Sequence, residues 1–476
     1  MVTAAAVALA AGAMAGVGVT VGATSAAAAT QEPCDIYAAA GTPCVAAHST
    51  TRALYAAYDG ALYQVRRASD GTTTNIDPLT TGGYADAATQ TSFCAGTSCT
   101  ITEIFDQSGH GNNLTIEGAG GNGGADVGAN AAALPVEAGG LLVYGVYVTP
   151  GTGYRNDSTT DVPTGADPQG EYMVAAGNHV NGGCCFDYGN AETNNDDNGN
   201  GHMDAINFGT ECWFSPCTGS GPWVQADLEN GLFAGANGSN TANDGNSSAF
   251  VTAMLKNNGT TTYAIKGGNA DSGSLSTWWE GALPDIGGYA PMHQEGAILL
   301  GTGGDDSNSS VGSFFEGVVT SGYPSDATDN AVQANIVAVG YAAPAAGAVG
   351  IIAAGDKGSD CVDNNNGSAT DGNKVQMWAC DGNTSAQNWT VNSNGTLNID
   401  GGCLDITGAN YSNGTLIEWW SCNGGANQQW KAEGDGELVN PTSGKCLDDS
   451  GFNTANGTQL ILYSCNGGTN QMWNLP

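Results

Sequence analysis

The sequence predicts an all-β protein in two parts, a large sandwich of short strands followed by a smaller unit that uses one motif three times. Short apolar or alternating runs bounded by Gly, Asn and Asp recur through residues 31–342, as expected of strands. Only two stretches read as helix there, and many strands with few helices favour a sandwich. In residues 351–476 a Cys-hydrophobic-Asp triplet, a second Cys nineteen residues on and a Gln-x-Trp occur three times. Each copy is too small to bury a core alone, so the three must pack together.

Residues 1–30 are uncharged and end in Ala26-Ala27-Ala28-Ala29, which suits a signal-peptidase site, so they are expected to direct secretion. The usual positive start is missing, but so many Gly and Ala disfavour a membrane anchor. The strand candidates follow in order: Leu141 to Val148, Glu171 to Ala175, Trp223 to Glu229, Ala249 to Leu255, Tyr263 to Ile265, Ala297 to Leu300 and Phe314 to Val319. Thr51 to Ala57 and Ala327 to Tyr341 are the two expected helices. A Pro/Ala/Gly linker, residues 343–350, then separates the sandwich from the repeats, with no polar contact across it implied. The repeats start at Cys361-Val362-Asp363, Cys403-Leu404-Asp405 and Cys446-Leu447-Asp448, and close on Gln387-Asn388-Trp389, Gln428-Gln429-Trp430 and Gln471-Met472-Trp473.

Ten basic residues against 46 acidic ones leave a net charge of -36. Nucleic acid and anionic membranes repel such a chain, whereas a neutral polymer does not. The fourteen cysteines sit close together in the chain: Cys34 with Cys44, Cys94 with Cys99, Cys212 with Cys217, and in the repeats Cys361 with Cys380, Cys403 with Cys422 and Cys446 with Cys465. Short loops closed this way point to disulfides made in an oxidising compartment. Cys184 and Cys185 are adjacent, and are joined to each other, bonded elsewhere or free. Five scattered histidines disfavour a zinc site, and no metal or other cofactor is expected.

With a period of two, Val224, Ala226 and Leu228 face a core while Trp223, Gln225, Asp227 and Glu229 face the other way. An aromatic beside carboxylates suits a sugar cleft, since the ring packs on C–H groups and the acids bind hydroxyls or do chemistry. An ordinary exposed acidic face is the alternative. Gly301-Thr302-Gly303-Gly304 then Asp305-Asp306 is a second acidic turn after a strand. The run Asp196-Asp197-Asn198-Gly199-Asn200-Gly201 invites a calcium-loop reading but lacks the closing Glu of an EF-hand.

Together these segments resemble the catalytic domain of glycoside hydrolase family 54, the secreted α-L-arabinofuranosidases. The resemblance rests on Pro33 to Tyr37, Thr42 to Ala53, Asp106-Gln107-Ser108-Gly109, Cys184 to Glu192, Asp227-Leu228-Glu229-Asn230-Gly231 and Ser321 to Asp326. It implies a jelly-roll-like β-sandwich and a retaining enzyme with Glu229 as nucleophile and Asp305 as acid/base; Asp306 competes with Asp305, and only the resemblance decides between them. Retention needs the two carboxyl groups about 5–5.5 Å apart. The resemblance also implies a vicinal Cys184–Cys185 disulfide under the furanose, a sugar-binding acid at Asp197 and an aromatic wall at Trp213-Phe214; Asp227, on the strand face of Glu229, is close enough to hydrogen-bond substrate, and Asn230 and Gly304 are further expected contacts. Cys212 and Cys217 bracket that wall as an added pair, so either aromatic could meet the sugar.

The tail resembles the ricin-type β-trefoil, carbohydrate-binding module family 13. By that resemblance sugar is gripped by Asp363, Gln376 and Trp378 in the first copy, by Asp405, Glu418, Trp420 and Asn427 in the second, and by Asp448, Tyr463 and Asn470 in the third. Ala386 and Ile461 replace polar residues in the first and third copies, leaving the second most complete. Trp389, Trp430 and Trp473 read as core.

The combined expectation is a secreted, monomeric exo-α-L-arabinofuranosidase acting on arabinoxylan or arabinan, its tail raising local substrate concentration. A related furanosidase, a β-xylosidase or a non-catalytic polysaccharide-binding protein are the alternatives.

Overall fold

Alternating apolar residues fold the front part into two antiparallel sheets, seen in a computed structural model that describes residues 31–94, 97–343, 349–392, 395–432 and 436–475. The expected signal segment and most of the expected linker lie outside these residues. The seven-stranded sheet runs Cys44–Ser49, Gly312–Ser321, Gln169–Ala175, Val251–Asn257, Thr262–Asn269 and Ser276–Ala282, with Val146–Val148 also paired to Gly312–Ser321. The ten-stranded sheet includes, as neighbours in this order, Trp223–Asp227, Asp204–Gly209, Asp187–Ala191, Ala297–Leu300 and Tyr154–Asn156. One core joins the sheets: Tyr188 of the second tilts on Phe314 of the first at 5.2 Å, among Tyr172, Ile206, Phe208, Val224 and Ala226. Because side chains alternate, Asp187 and Asp227 leave that core and point to the outer face of the ten-stranded sheet.

The helix Asp326–Val339 starts where the Ser325 side chain accepts from the Thr328 backbone, and it stops at Gly340 in the left-handed conformation, φ 65°. The second expected helix, Thr51 to Ala57, does not form. There the backbone N–H groups of Ala53, Leu54 and Ala56 donate to Gly83 O, Gln107 Oε1 and Asp35 Oδ2, and the buried Arg52 binds Glu316 and Glu32. Distant partners take the donors that a helix would use. No helix among the described residues is long and apolar enough to cross a membrane.

The three repeats form hairpins: Asp360–Asn364 with Asn373–Ala379, Gly402–Ile406 with Thr415–Ser421, and Lys445–Asp448 with Ile461–Ser464. Each is clipped by its own disulfide, Cys361–Cys380, Cys403–Cys422 and Cys446–Cys465. The buried indoles of Trp389, Trp430 and Trp473 donate to Val362 O, Leu404 O and Leu447 O, so every copy puts its last Trp in the shared core. Residues from Gln31 on form one compact unit. Polar contacts that the sequence did not imply cross between the two parts: Asn130 donates to Gly358 O at 3.1 Å and Asn474 to Ala133 O. Bare Gly358 permits the approach, since a Cβ there would meet the Tyr147 ring at 2.8 Å.

Candidate active site

On the outer face of the ten-stranded sheet lies a cleft of about 280 Å³. Cys184, Cys185, Asp197, Trp213, Asp227, Glu229, Gly304 and Asp305 line it, drawn from five separate stretches of chain. Asn122, Glu192, Met203, Gly303 and Ser307 complete the lining and were not anticipated. Glu192 closes the Cys184 to Glu192 segment and Gly303 lies in the glycine turn before Asp305, so both sat in segments the sequence had singled out without being marked as site residues.

Glu229 stands two residues beyond the strand Trp223–Asp227 in a left-handed backbone, φ 85°, which turns it out of the strand's alternation. Its N–H donates to Asp227 Oδ1 at 2.9 Å. The carboxylate is buried and gripped by the acidic run read from sequence as a calcium-loop candidate and by the residue after it: Oε1 accepts from the N–H groups of Asn198 and Gly199, and Oε2 from that of His202 at 3.0 Å. Backbone donors fix the direction of both oxygens.

Asp305 and Asp306 part company. Asp305 lines the cleft, and its Oδ1 accepts from the N–H and hydroxyl of Ser307. Asp306, at φ 66°, turns away from the cleft, accepting from Gly120 N at 3.1 Å and Asn308 Nδ2 at 3.1 Å. There it meets Glu117 and Asp126, the three carboxylates offering oxygens within 4.8 Å of one another. Burial lifts Glu117 to about 8 against the pull of the Arg155 charge, burial and then the Asp306 charge lift Asp126 to about 7, and burial also raises Asp306.

Beneath the cleft Asp227 is hydrogen-bonded to Asp187, and burial pushes both carboxyls well above the ordinary carboxylate range. Glu192 is fully buried, with neither carboxyl oxygen hydrogen-bonded to protein, and burial lifts it to about 9. It is therefore a neutral acid beside Glu229 at neutral pH. Asp197 is raised too, by burial first and then by Glu229 and Asp305.

Two expected contacts are placed otherwise. Phe214 is absent from the cleft: it stacks on Phe233 at 4.9 Å and packs against the core, while its neighbour Trp213, 49% exposed, lines the cleft. Adjacent residues in this loop point opposite ways, and the larger apolar surface in reach of Phe214 is the sandwich core. Asn230 is also outside the lining; its amide nitrogen donates to both Asp197 oxygens, at 2.7 and 2.8 Å, and so orients an acid that does line it. The disulfides are Cys34–Cys44, Cys94–Cys99, Cys184–Cys185 and Cys212–Cys217, besides the three in the repeats.

In each repeat the triplet Asp is fixed by the amides that precede Trp. Asp363 accepts from Gln376 and Gln387, Asp405 from Asn427 and Gln428, and Asp448 from Asn470 and Gln471. Trp378, Trp420 and Tyr463 stand opposite, 36%, 37% and 41% exposed, as three aromatic platforms. Glu418 is paired across the strands with Asp405, where the third copy has Ile461 facing Asp448.

The family described as "Alpha-L-arabinofuranosidase B, catalytic" matches residues 33–342, and "Ricin-type beta-trefoil lectin domain" matches residues 348–473. A probable α-L-arabinofuranosidase B of Aspergillus terreus is 58% identical over 316 residues, 65% of this chain and 62% of that protein. The chain thus matches less than two thirds of the length of such relatives. Among solved structures, a glutamate-to-glutamine mutant of a family 54 α-L-arabinofuranosidase, soaked with 4-nitrophenyl α-L-arabinofuranoside, is 39% identical with a TM-score of 0.66, covering 93% of this chain and 99% of that one. An arabinofuranosidase complexed with arabinofuranosyl-α-1,2-xylobiose shows the same identity and TM-score, over 93% of this chain and 98% of that one.

Proposed function

The chain belongs to the α-L-arabinofuranosidase B family, glycoside hydrolase family 54, and from that premise we propose that it is a retaining exo-α-L-arabinofuranosidase. The observation that carries the reading is that Glu229 and Asp305, from two different sheet loops, line one cleft with the Cys184–Cys185 pair. In the first step Glu229 attacks the anomeric carbon while Asp305 gives its proton to the departing glycosidic oxygen. In the second, Asp305 takes a proton from water, whose oxygen displaces Glu229 from the sugar. Asp197, Asp227 and Glu192 are placed to bind furanose hydroxyls, the disulfide supplies an apolar floor, and Trp213 a wall on the open side. Burial first and then the neighbouring Asp187 charge raise the Asp227 carboxyl, which favours its neutral form beside Glu229.

The natural substrate on this reading is an arabinose-decorated plant polysaccharide such as arabinoxylan, and the trefoil's three aromatic platforms hold the polymer near the cleft. Seven disulfides favour work outside the cell. The test is incubation with arabinofuranosyl-xylobiose and, in parallel, with 4-nitrophenyl furanosides and xylosides. Free arabinose from the first, lost in Glu229→Gln, is expected; xylose release alone, or no release by the unmutated protein, would reject the reading.

A further inference from the structure

We infer that Arg155, which lies outside the cleft lining, is the positioning residue for Asp305; the inference rests on the acid/base role proposed above. Arg155 sits on the strand Tyr154–Asn156, paired with Leu299 on one side and Thr115 on the other. Its side chain is buried, and Nη1 donates to Gly304 O at 2.9 Å, the carbonyl immediately before Asp305. The other terminal nitrogen donates to Glu192 O. One guanidinium therefore ties the acid/base loop to the strand end that carries Glu192.

The guanidinium is itself held. Nε donates to Asp157 at 2.6 Å, and Glu117 Oε1 lies 3.5 Å from Nη1. On the far side of Asp305, Asp306 is tied to Gly120 and Asn308, and Asp305 O accepts from Asn122 N at 2.8 Å. The residue before, the residue itself and the residue after are thus each anchored. Arg155 supplies the first anchor, and its planar fork reaches two carbonyls that a lysine could not hold together. Freed of it, the loop keeps its fold through the other anchors, but the Asp305 carboxyl loses its aim at the leaving oxygen. A displacement of about 1 Å at a reacting group costs on the order of 10²-fold in rate.

The test compares Arg155→Met and Arg155→Lys on two substrates, 4-nitrophenyl α-L-arabinofuranoside, whose leaving group needs little protonation, and arabinofuranosyl-xylobiose, whose leaving group needs it. Expected are kcat/KM within about threefold of the parent on the first and a fall of roughly 10²-fold on the second, with Lys no better than half restored on a logarithmic scale. Azide should accelerate release of the aryl substrate by these variants, as it should for Asp305→Asn. Equal loss on both substrates, tracking a lower Tm, would show a merely structural arginine and overturn the role; so would unchanged kinetics on the oligosaccharide. If Met fails to fold, the Lys variant decides. Inactivity of the parent on both substrates would instead remove the enzymatic reading, and this role with it.

Discussion

Gly304→Ala probes how tightly the loop that carries Asp305, the proposed acid/base, is seated. Gly304 is not in a left-handed conformation, so alanine suits its backbone, and the strain is steric alone. A Cβ at this position would stand 2.2 Å from Glu192 Oε2 and 2.7 Å from its Cδ, where ordinary contact begins near 3.4 Å. Something must move by about 1 Å or more. Glu192 is fully buried and pushed toward the cleft if it yields; if it holds, the loop carrying Asp305 yields instead. Overpacking of this kind costs roughly 1–3 kcal/mol in stability. Misplacing a reacting carboxyl by about an ångström costs on the order of 10²-fold in rate. The expected result is a folded protein with a Tm lower by a few degrees and kcat/KM on arabinofuranosyl-xylobiose lower by about 10²-fold. Because the clash is with one side chain, Glu192→Ala added to Gly304→Ala should recover part of the stability, the two changes departing from additivity by at least about 0.5 kcal/mol. Activity of Gly304→Ala within twofold of the parent, or strict additivity in the pair, would refute the rigid seating.

Asp305→Asn should slow hydrolysis of poor leaving groups by roughly 10²–10⁴-fold and spare activated aryl furanosides, whereas Asp306→Asn, turned from the cleft, should show no such leaving-group selectivity; kinetics on both substrate types separate them. The raised carboxyls Asp126, Glu117 and Glu192, at about 7, 8 and 9, hold protons in the folded protein that the unfolded chain releases near its ordinary carboxylate range. Their contribution is complete at acid pH and is lost as pH rises toward 9, so Tm should fall from pH 5 to pH 9, and Glu117→Gln should flatten the fall; a Tm that climbs over this range contradicts it. Asp405→Ala with Trp420→Ala should weaken retention on insoluble xylan more than the matching changes at Asp448 and Tyr463, because Ile461 leaves the third copy without the polar partner that Glu418 gives the second. Pull-down of the full-length variants reads this directly, and full retention after Asp363, Asp405 and Asp448 are all changed to Ala would mean the platforms hold no sugar.

Local patterns reported themselves in the sequence where local physics decided the outcome. Alternation placed Asp227 on the face away from the core, though Glu229 leaves that alternation and Trp223 stays out of the cleft, and the nineteen-residue Cys spacing marked each hairpin of the tail. The helix ending at Gly340 carried its own cap and stop. What stayed hidden depended on distant partners. Thr51 to Ala57 looks helical but spends its N–H groups on Gly83, Gln107 and Asp35. Phe214 and Trp213 are neighbours of like character, and only the position of Phe233 decides which turns inward. Arg155 reaches Gly304 O, and Glu117 and Asp126 meet Asp306, from segments more than a hundred residues away, and no spacing announces such a meeting. Asp305 and Asp306 are alike in sequence; Gly120 and Asn308 draw one of them away.

The central claim is a covalent arabinosyl intermediate on Glu229, and its capture is the most direct test. In Asp305→Asn an activated aryl arabinofuranoside should still load the nucleophile, while hydrolysis of the intermediate stalls for want of a base. Rapid acid quench, peptic digestion and mass spectrometry should then find one pentosyl unit on the peptide that spans Asp227-Leu228-Glu229-Asn230, with fragmentation placing it on Glu229. A pentosyl unit on any other carboxylate, or a first product of inverted configuration with no adduct at all, would contradict the account.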